Sequence, residues 1–335
     1  MRDQLLYDMQ HHFPLTRRPF AELAQRLNRS EKEIIDTVAS LKKEGIIRQT
    51  SAIFDTKRLG YRSSLVAFKV PAEDIEKAAA VINAHPGVSH NYERNHDFNL
   101  WFTLAVAPDS TLGLEQTVEI LRKQSGATSA AVLPTLKMFK IKVQMDTTGK
   151  KAKKEKVHKA AYKPLELTDN HIAVVKALQK DIDITPEPFK RACEETGMDY
   201  DTLFAYAEEM REAGVMRRFA TILNHRKAGF QANAMSVWNV PDDIAEETGR
   251  KLAEFSAVSH CYLRPRSEHW PYNLFAMVHA KTREACDALI DDMAKETGLH
   301  DYGKLYSTRE FKKQRLIYFD EAFKRWEQSI EHKKA

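Results

Sequence analysis

The chain has 335 residues, and 52 Lys and Arg stand against 47 Asp and Glu, a formal net charge of +5. This length suggests about two to four domains, and the near balance of charge gives little support for nucleic-acid binding. The sparse, odd set of three cysteines predicts a reducing, cytoplasmic location. No apolar run approaches the ~20 residues of a membrane span, so we expect neither a signal peptide nor a membrane segment.

The first 61 residues have the pattern of a winged helix-turn-helix. Apolar residues recur at helical spacing in three segments of residues 3–45. Ser30 with Glu33 three residues later is a capping-box pattern, and Gly45 is a typical helix stop. A strand pattern follows at Ile46–Phe54 and predicts the wing.

Residues 62–146 alternate differently and predict a ferredoxin-like domain. The expected order is β-α-β-β-α-β. The expected elements are strands at Ser64–Val70, Val88–Arg94, Asn99–Ala107 and Ala131–Val143, with helices at Ala72–Ala84 and Leu112–Gln124.

The remainder of the chain repeats this plan. Ile47-Arg48 at the first wing corresponds to Met216-Arg217 at the second, and Asn99-Leu100 corresponds to Asn273-Leu274. A repeat of this kind sets the architecture. We therefore expect an α+β pseudo-dimer whose halves pair within the chain, and we leave a further homodimer open. The predicted boundaries are a Lys-rich linker at 147–163, a second winged helix at 164–230, a second ferredoxin-like domain at 231–320 and a C-terminal helix or tail at 321–335.

A winged helix followed by a ferredoxin-like domain resembles the Lrp/AsnC regulators, which raises the question of DNA binding. A recognition helix needs basic or amide side chains near its N-terminus. Here the helix opens Ser30-Glu31-Lys32-Glu33, and its counterpart opens Asp199-Tyr200-Asp201. Carboxylates at these places would repel phosphates. We therefore expect no DNA binding, and a scaffold or interface role for these helices.

A dense group of chemically active residues lies on the second and third predicted strands of each ferredoxin-like domain. Alternate residues of a strand share one face. His90, Tyr92 and Arg94 should therefore point the same way, as should their equivalents around Tyr262 and Arg264. Imidazole, phenol and guanidinium groups on one face suit an anionic, aromatic ligand, although an exposed strand pair of mixed composition is the alternative.

The second wing supplies another basic cluster, and here the halves differ. Arg217, Arg218 and His225 stand where the first half has Arg48 and no histidine. His96 also lacks a histidine counterpart, since Trp270 stands near its aligned place. This asymmetry predicts one composite site with unlike contributions from the halves.

The motif Tyr92-x-Arg94-x-His96-x-Phe98-Asn99-Leu100-Trp101-Phe102 and its counterpart Tyr262-x-Arg264-Pro265 resemble the siroheme decarboxylases. The second half continues with Trp270-Pro271-Tyr272-Asn273-Leu274-Phe275, and the chain looks like both subunit types of that family fused. The resemblance implies a carboxy-lyase that removes carboxyl groups from the C12 and C18 acetates of siroheme. The product would be 12,18-didecarboxysiroheme, a precursor of haem d1 or haem. No cofactor is expected, because the iron belongs to the substrate.

The resemblance and the residue chemistry together suggest roles. Carboxylates that stay on the ring would bind guanidinium groups, and aromatic side chains would pack on the macrocycle. His96 and His225 would provide the proton donor and an axial ligand to the substrate iron, in an order left open. The expected binding residues are Arg48, Tyr92, Arg94, Trp101, Arg217, Arg218, Tyr262, Arg264 and Trp270. The alternatives are a tetrapyrrole-responsive regulator and a non-catalytic tetrapyrrole carrier.

Overall fold

The computed structural model describes residues 2–141, 162–224 and 232–332. It divides into two compact units, of which the first comprises residues 1–61, 159–227 and 317–320, and the second comprises 62–158, 228–316 and 321–335. Each unit combines equivalent parts of both halves of the sequence. The predicted tandem α+β fold is confirmed, while His225 and most of the predicted linker lie outside the described residues.

The first half contains five helices and six strands among its described residues. They are α1 (Arg2–His11), α2 (Pro19–Leu27), α3 (Glu31–Lys43), β1 (Ile47–Phe54), β2 (Arg62–Lys69), α4 (Ile75–Asn83), β3 (Val88–Arg94), β4 (Leu100–Val106), α5 (Gly113–Ser125), β5 (Ser129–Leu133) and β6 (Lys137–Ile141). The last strand, predicted as continuous over 131–143, is in fact interrupted. Pro134 lies in the break, where it has no backbone N–H to give to a strand ladder.

The second half follows the same order. Its elements are α6 (Asp169–Leu178), α7 (Lys190–Thr196), α8 (Tyr200–Glu212), β7 (Met216–Leu223), β8 (Ala232–Trp238), α9 (Ala245–Glu254), β9 (Val258–Leu263), β10 (Leu274–Ala280), α10 (Arg283–Thr297), β11 (Tyr302–Lys313) and α11 (Ala322–His332). Unlike the equivalent strand of the first half, β11 is continuous.

The first unit is built around the two wing strands. β1 and β7 pair antiparallel, with Ser51 opposite Ala220. Next to that pair the Thr50 and Thr221 hydroxyls lie 2.7 Å apart and are buried. The Phe219 ring packs 5.3 Å from the ring of Phe13. The predicted capping box at Ser30 is present, and it fixes the start of α3.

The second unit holds a nine-stranded sheet in the order β5-β2-β4-β3-β11-β8-β10-β9-β6. β11 pairs with β8 over Tyr302–Tyr306 and with β3 from Ser307 onward. In the same way β5 pairs with β2, while β6 pairs with β9. Each half's last strand therefore starts in its own half and ends beside a strand of the other.

Three hydrophobic clusters fill this unit. Two of them lie under the helices of one half each, with Leu121 of α5 and Ile290 of α10 fully buried. The third draws on both halves and includes Trp101, Trp270 and Leu305. The halves thus share apolar surface as well as strands, and burial of such surface is the main favourable term in association.

The repeated asparagine of the Asn-Leu motif has a structural role. The Asn99 side chain accepts a hydrogen bond from the Val70 N–H at 3.0 Å and donates one to the Val70 carbonyl at 2.8 Å. Asn273 makes the same pair with Val240, both at 2.9 Å. Each side-chain amide thus provides hydrogen-bond partners for a backbone N–H and carbonyl just beyond the end of β2 or β8, where strand pairing stops.

The entry into β3 requires a residue without a side chain. A Cβ at Gly87 would lie 1.8 Å from the carbonyl oxygen of Ala105, a backbone atom that a rotamer change cannot move. The Gly87 N–H donates to Nδ1 of buried His85 at 2.9 Å. The His85 ring in turn lies 4.3 Å from the ring of Trp326 on α11.

We therefore expect Gly87→Ala to destabilise the second unit by about 3 kcal/mol, the upper range for overpacking. The measurement is urea unfolding followed by circular dichroism. Gly126→Ala is the matched control, because its φ is +74° but a Cβ there would meet nothing within 4 Å. It should cost only about 1–2 kcal/mol, the usual penalty of a left-handed residue. Equal losses in the two variants would contradict the steric argument.

Candidate active site

A cavity of about 650 Å³ lies in the second unit, among strands of both halves. This volume falls within the roughly 300–1,000 Å³ of small-molecule and cofactor sites. The charged side chains that line it are mainly basic, and they are Arg94, Arg264, Arg309, Lys313 and Glu310. Such a lining favours an anionic ligand.

The two walls of the cavity are related by the sequence repeat. β3 contributes His90, Tyr92 and Arg94, and the equivalents are His260 and Tyr262 on β9 with Arg264 directly after its end. In each triplet the histidine and tyrosine ring centroids are 6.2 Å apart, and the ring planes are inclined by 27° in the first triplet and 30° in the second. The alternation of a β-strand puts all three side chains of a triplet on one face, as the sequence predicts.

Arg94 and Arg264 are buried, at 8% and 9% exposure. Nη1 of Arg94 donates to the Leu305 carbonyl at 3.1 Å, and Nη1 of Arg264 donates to the Leu133 carbonyl at 2.6 Å. Nε of both residues is buried and has no hydrogen-bond partner in the part of the chain that the structure describes.

Burial lowers the pKa of both guanidinium groups to about 10, so both remain charged at neutral pH. Among the described residues neither forms a salt bridge with a carboxylate. Besides the hydrogen bonds to backbone carbonyls, the contacts are aromatic, with the Arg264 guanidinium carbon 4.8 Å from the ring centroid of Tyr262. A buried charge without a counter-ion costs several kcal/mol. The pair is therefore arranged to receive negative charge from a ligand.

A serine joins two histidines at the second wall. The Ser259 hydroxyl lies 2.8 Å from Nδ1 of His260 and 2.7 Å from Nε2 of His279. Burial lowers the pKa of His260. Burial and, secondly, the neighbouring His260 lower the pKa of His279 to about 4. The lowered pKa favours the neutral form of both rings.

The first wall differs at this point. Ser89 contacts Nδ1 of His90 at 3.0 Å and the Thr103 hydroxyl at 2.6 Å. The His279 N–H bonds to the Ala257 carbonyl just as the Ala105 N–H bonds to the Gly87 carbonyl. His279 thus occupies the register position of Ala105. No motif in the sequence marked His279, but aligning the two halves at this strand reveals the substitution.

Three other predicted site residues, Trp101, Trp270 and His96, differ in whether they line the cavity. Trp101 lines the cavity, and its Nε1 donates to the Phe98 carbonyl at 2.6 Å. Trp270 is 1% exposed and packs in the cluster shared by the halves, 4.9 Å from Trp101, without lining the cavity. His96 is exposed. Its ring lies 5.2 Å from that of Trp270, its Nδ1 accepts from the Phe98 N–H, and it is not among the lining residues.

The predicted wing residues belong to the first unit, whereas the cavity belongs to the second. Arg48 is exposed. Arg217 forms an ion pair with Asp55 at 2.8 Å. Burial lowers the pKa of Arg218, and the positive charge of Arg217 lowers it further. His225 lies outside the described residues.

Within residues 2–141, 162–224 and 232–332, no group of three or more His, Cys, Asp or Glu side chains is placed to hold a metal ion. Over those ranges, too, no helix has the length and apolar character needed to cross a bilayer.

Comparison with known proteins agrees with this geometry. The model of an AsnC-like ligand-binding domain matches residues 58–140 and 227–312, and that of a siroheme decarboxylase NirDL-like HTH domain matches residues 2–48. The crystal structure of the siroheme decarboxylase NirDL superposes with a TM-score of 0.82 at 37% identity, covering 100% of this chain and 99% of that one. A second structure of NirDL, in complex with an iron-uroporphyrin III analogue, gives the same TM-score and identity over 99% of both chains.

The siroheme decarboxylase of Hydrogenobacter thermophilus is 42% identical over 324 residues, which is 97% of this chain and 96% of the relative. The similarity extends through both halves and includes the strands that form the cavity. The chain therefore belongs to the siroheme decarboxylase family.

Proposed function

We propose that this protein decarboxylates siroheme, removing the carboxyl groups of the C12 and C18 acetates to give 12,18-didecarboxysiroheme, which feeds haem d1 or haem synthesis. The observation that carries the proposal is the buried pair Arg94 and Arg264, charged and without acidic partners among the described residues, in a cavity with aromatic walls. The family relationship supports the same substrate.

The two arginines suit carboxylates that stay on the ring. A guanidinium binds a carboxylate through two parallel hydrogen bonds and so fixes its orientation. If it gripped the departing carboxylate, it would stabilise the ground state and slow the reaction. The departing group therefore belongs at the apolar part of the wall, where Trp101 and Met235 lie and where its charge is poorly solvated.

The reaction also needs a proton. When the carbon–carbon bond breaks, carbon dioxide leaves and the macrocycle accepts the electron pair, after which the methylene carbon takes a proton and becomes a methyl group. His260 and His279 line the cavity and are the donors that its geometry favours. The roles expected for His96 and His225, donor or axial ligand of the substrate iron, stay predictions.

We further propose that the winged helices do not bind DNA. The first turn of α3 carries Glu31 and Glu33, which engage the nearby cations of Arg18 and Arg29 and so keep them from phosphates. The N-cap of α8 is Asp199, whose side chain accepts from the Thr202 N–H. Phosphates would meet negative charge at both helix starts.

The first test is product analysis. We expect the purified protein, incubated anaerobically with siroheme, to yield a product lighter by two carbon dioxide units in mass spectrometry. Tight binding with unchanged mass would contradict the enzyme and favour a carrier. Unchanged mass together with specific, salt-sensitive binding of DNA in a gel shift would favour a regulator.

The arginine pair makes a second prediction. Arg94→Met and Arg264→Met should each weaken siroheme binding about 30-fold or more, the usual scale for losing a buried charge partner, as measured by absorption titration. Neither should lower the free energy of unfolding of the empty protein much, because each removes an uncompensated buried charge.

The control for this pair is Arg62→Met, which makes the same change of charge at an exposed residue paired with Glu115. It should leave siroheme affinity within about twofold, because a surface ion pair contributes at most about 1 kcal/mol. If Arg94→Met binds siroheme as well as Arg62→Met does, the anion-binding role is wrong.

A third prediction concerns pH. The free His279 has its pKa lowered from 6.5 to about 4, and bound carboxylates should raise it again because they favour the charged ring. At pH values between the pKa of His279 in the free protein and its higher pKa in the complex, the complex holds more protons than the free protein. The affinity for the ligand should therefore rise as pH falls. We expect iron-uroporphyrin III to bind roughly threefold or more tightly at about pH 5.5 than at about pH 7.5. His279→Gln should reduce this slope, and an affinity that falls with decreasing pH would refute the linkage.

A further inference from the structure

The Ser259 hydroxyl can connect its two neighbouring histidines by hydrogen bonds that all run in one direction. A hydroxyl can donate one hydrogen and accept others, so it can accept from one ring and donate to the other. With both rings neutral, Nε2–H of His279 can donate to the Ser259 oxygen while the hydroxyl donates to Nδ1 of His260. The three groups then form a continuous hydrogen-bonded chain that ends at His260.

The described residues of the first half show a different arrangement. Ser89 holds the same place beside His90, but its other partner is the Thr103 hydroxyl, which does not titrate near neutral pH. At the register position of His279 the first half has Ala105, which is buried and apolar. The two walls therefore share their arginines, tyrosines and first histidine, and they differ in the supply of protons behind that histidine.

We propose that Ser259 is a positioning residue that passes protons from His279 to His260, so that the substrate is protonated at the second wall and not at the first. This inference rests on the proposed decarboxylation of siroheme and adds where its proton comes from. It also assigns unlike functions to two walls whose sequence motifs look equivalent.

The proton balance of the step is complete. His260 gives the hydrogen on Nε2 to the methylene carbon, and its Nδ1 takes the hydroxyl hydrogen of Ser259. The serine oxygen takes the hydrogen from Nε2 of His279, whose Nδ1 takes one from solvent. One solvent proton and the electron pair of the broken carbon–carbon bond thus become the new C–H bond, and carbon dioxide leaves. Exchange with solvent then restores the starting tautomers.

The test compares Ser259→Ala with the matched variant Ser89→Ala in the full chain. Single-turnover decarboxylation of siroheme is followed anaerobically by mass spectrometry. We expect Ser259→Ala to slow it about 10- to 100-fold, at the lower end of general acid catalysis, and Ser89→Ala to slow it less than about threefold. Affinity for iron-uroporphyrin III should stay within about twofold in both variants, which shows that the site is intact. Ser259→Thr keeps a hydroxyl and should recover most of the rate.

A double-mutant cycle separates this role from mere packing. If Ser259 acts only by connecting His279 to His260, then Ser259→Ala, His279→Gln and the double variant should all lose about the same factor, because residues that act as a unit are not additive. If the rate losses of the two single variants multiply in the double variant, the relay is wrong. It is also wrong if Ser259→Ala and Ser89→Ala react at equal rates. Both outcomes leave the decarboxylase proposal intact. Failure of the unaltered protein to decarboxylate siroheme would instead contradict the proposed function.

Discussion

The exchange of the last strand between the two halves is the constraint on which the second unit depends. β11 leaves β8 after Tyr306 to pair with β3, and the interrupted strand β5–β6 passes from β2 to β9. Neither half therefore completes its own sheet, and the cavity exists only where both are present. The two buried arginines lie at these crossings, since each donates to a carbonyl of the other half's exchanged strand, at Leu305 or Leu133.

Local pattern predicted the elements well, because local physics determines them. The capping box at Ser30 and the bounds of Val88–Arg94 agree with the structure. The strand exchange could not be predicted in this way, because pairing partners depend on contacts far apart in sequence. Pro134 was a visible signal of the break in the first half's last strand, whereas the continuous β11 carries no comparable mark. The sequence motifs do not mark His279 either, because it lies on the neighbouring strand β10, in an apolar segment.

Residue type alone also could not separate ligand contacts from packing. Trp101 and Trp270 stand in equally suggestive motifs and both belong to the cluster shared by the halves, yet only Trp101 lines the cavity. The asparagine of each motif holds backbone at a strand end. The density of aromatic and amide residues thus reflects two demands at once, a ligand surface and the joining of two halves, and only the position of each side chain relative to the cavity distinguishes them.

Because of where the two arginines lie, a bound anionic ligand would contribute to the stability of the fold. Each guanidinium contacts a strand that crosses from the other half and leaves its Nε without a partner in the described chain. Two buried positive charges without a carboxylate partner among the described residues therefore lie where the halves join. A polyanion that bound both guanidinium groups would offset the cost of burying them, and by mass action it would add about 2.7 kcal/mol to the free energy of unfolding at a concentration one hundred times its dissociation constant. Substrate supply and the cellular lifetime of the enzyme would then be coupled, because the unoccupied form is the one most exposed to unfolding and proteolysis.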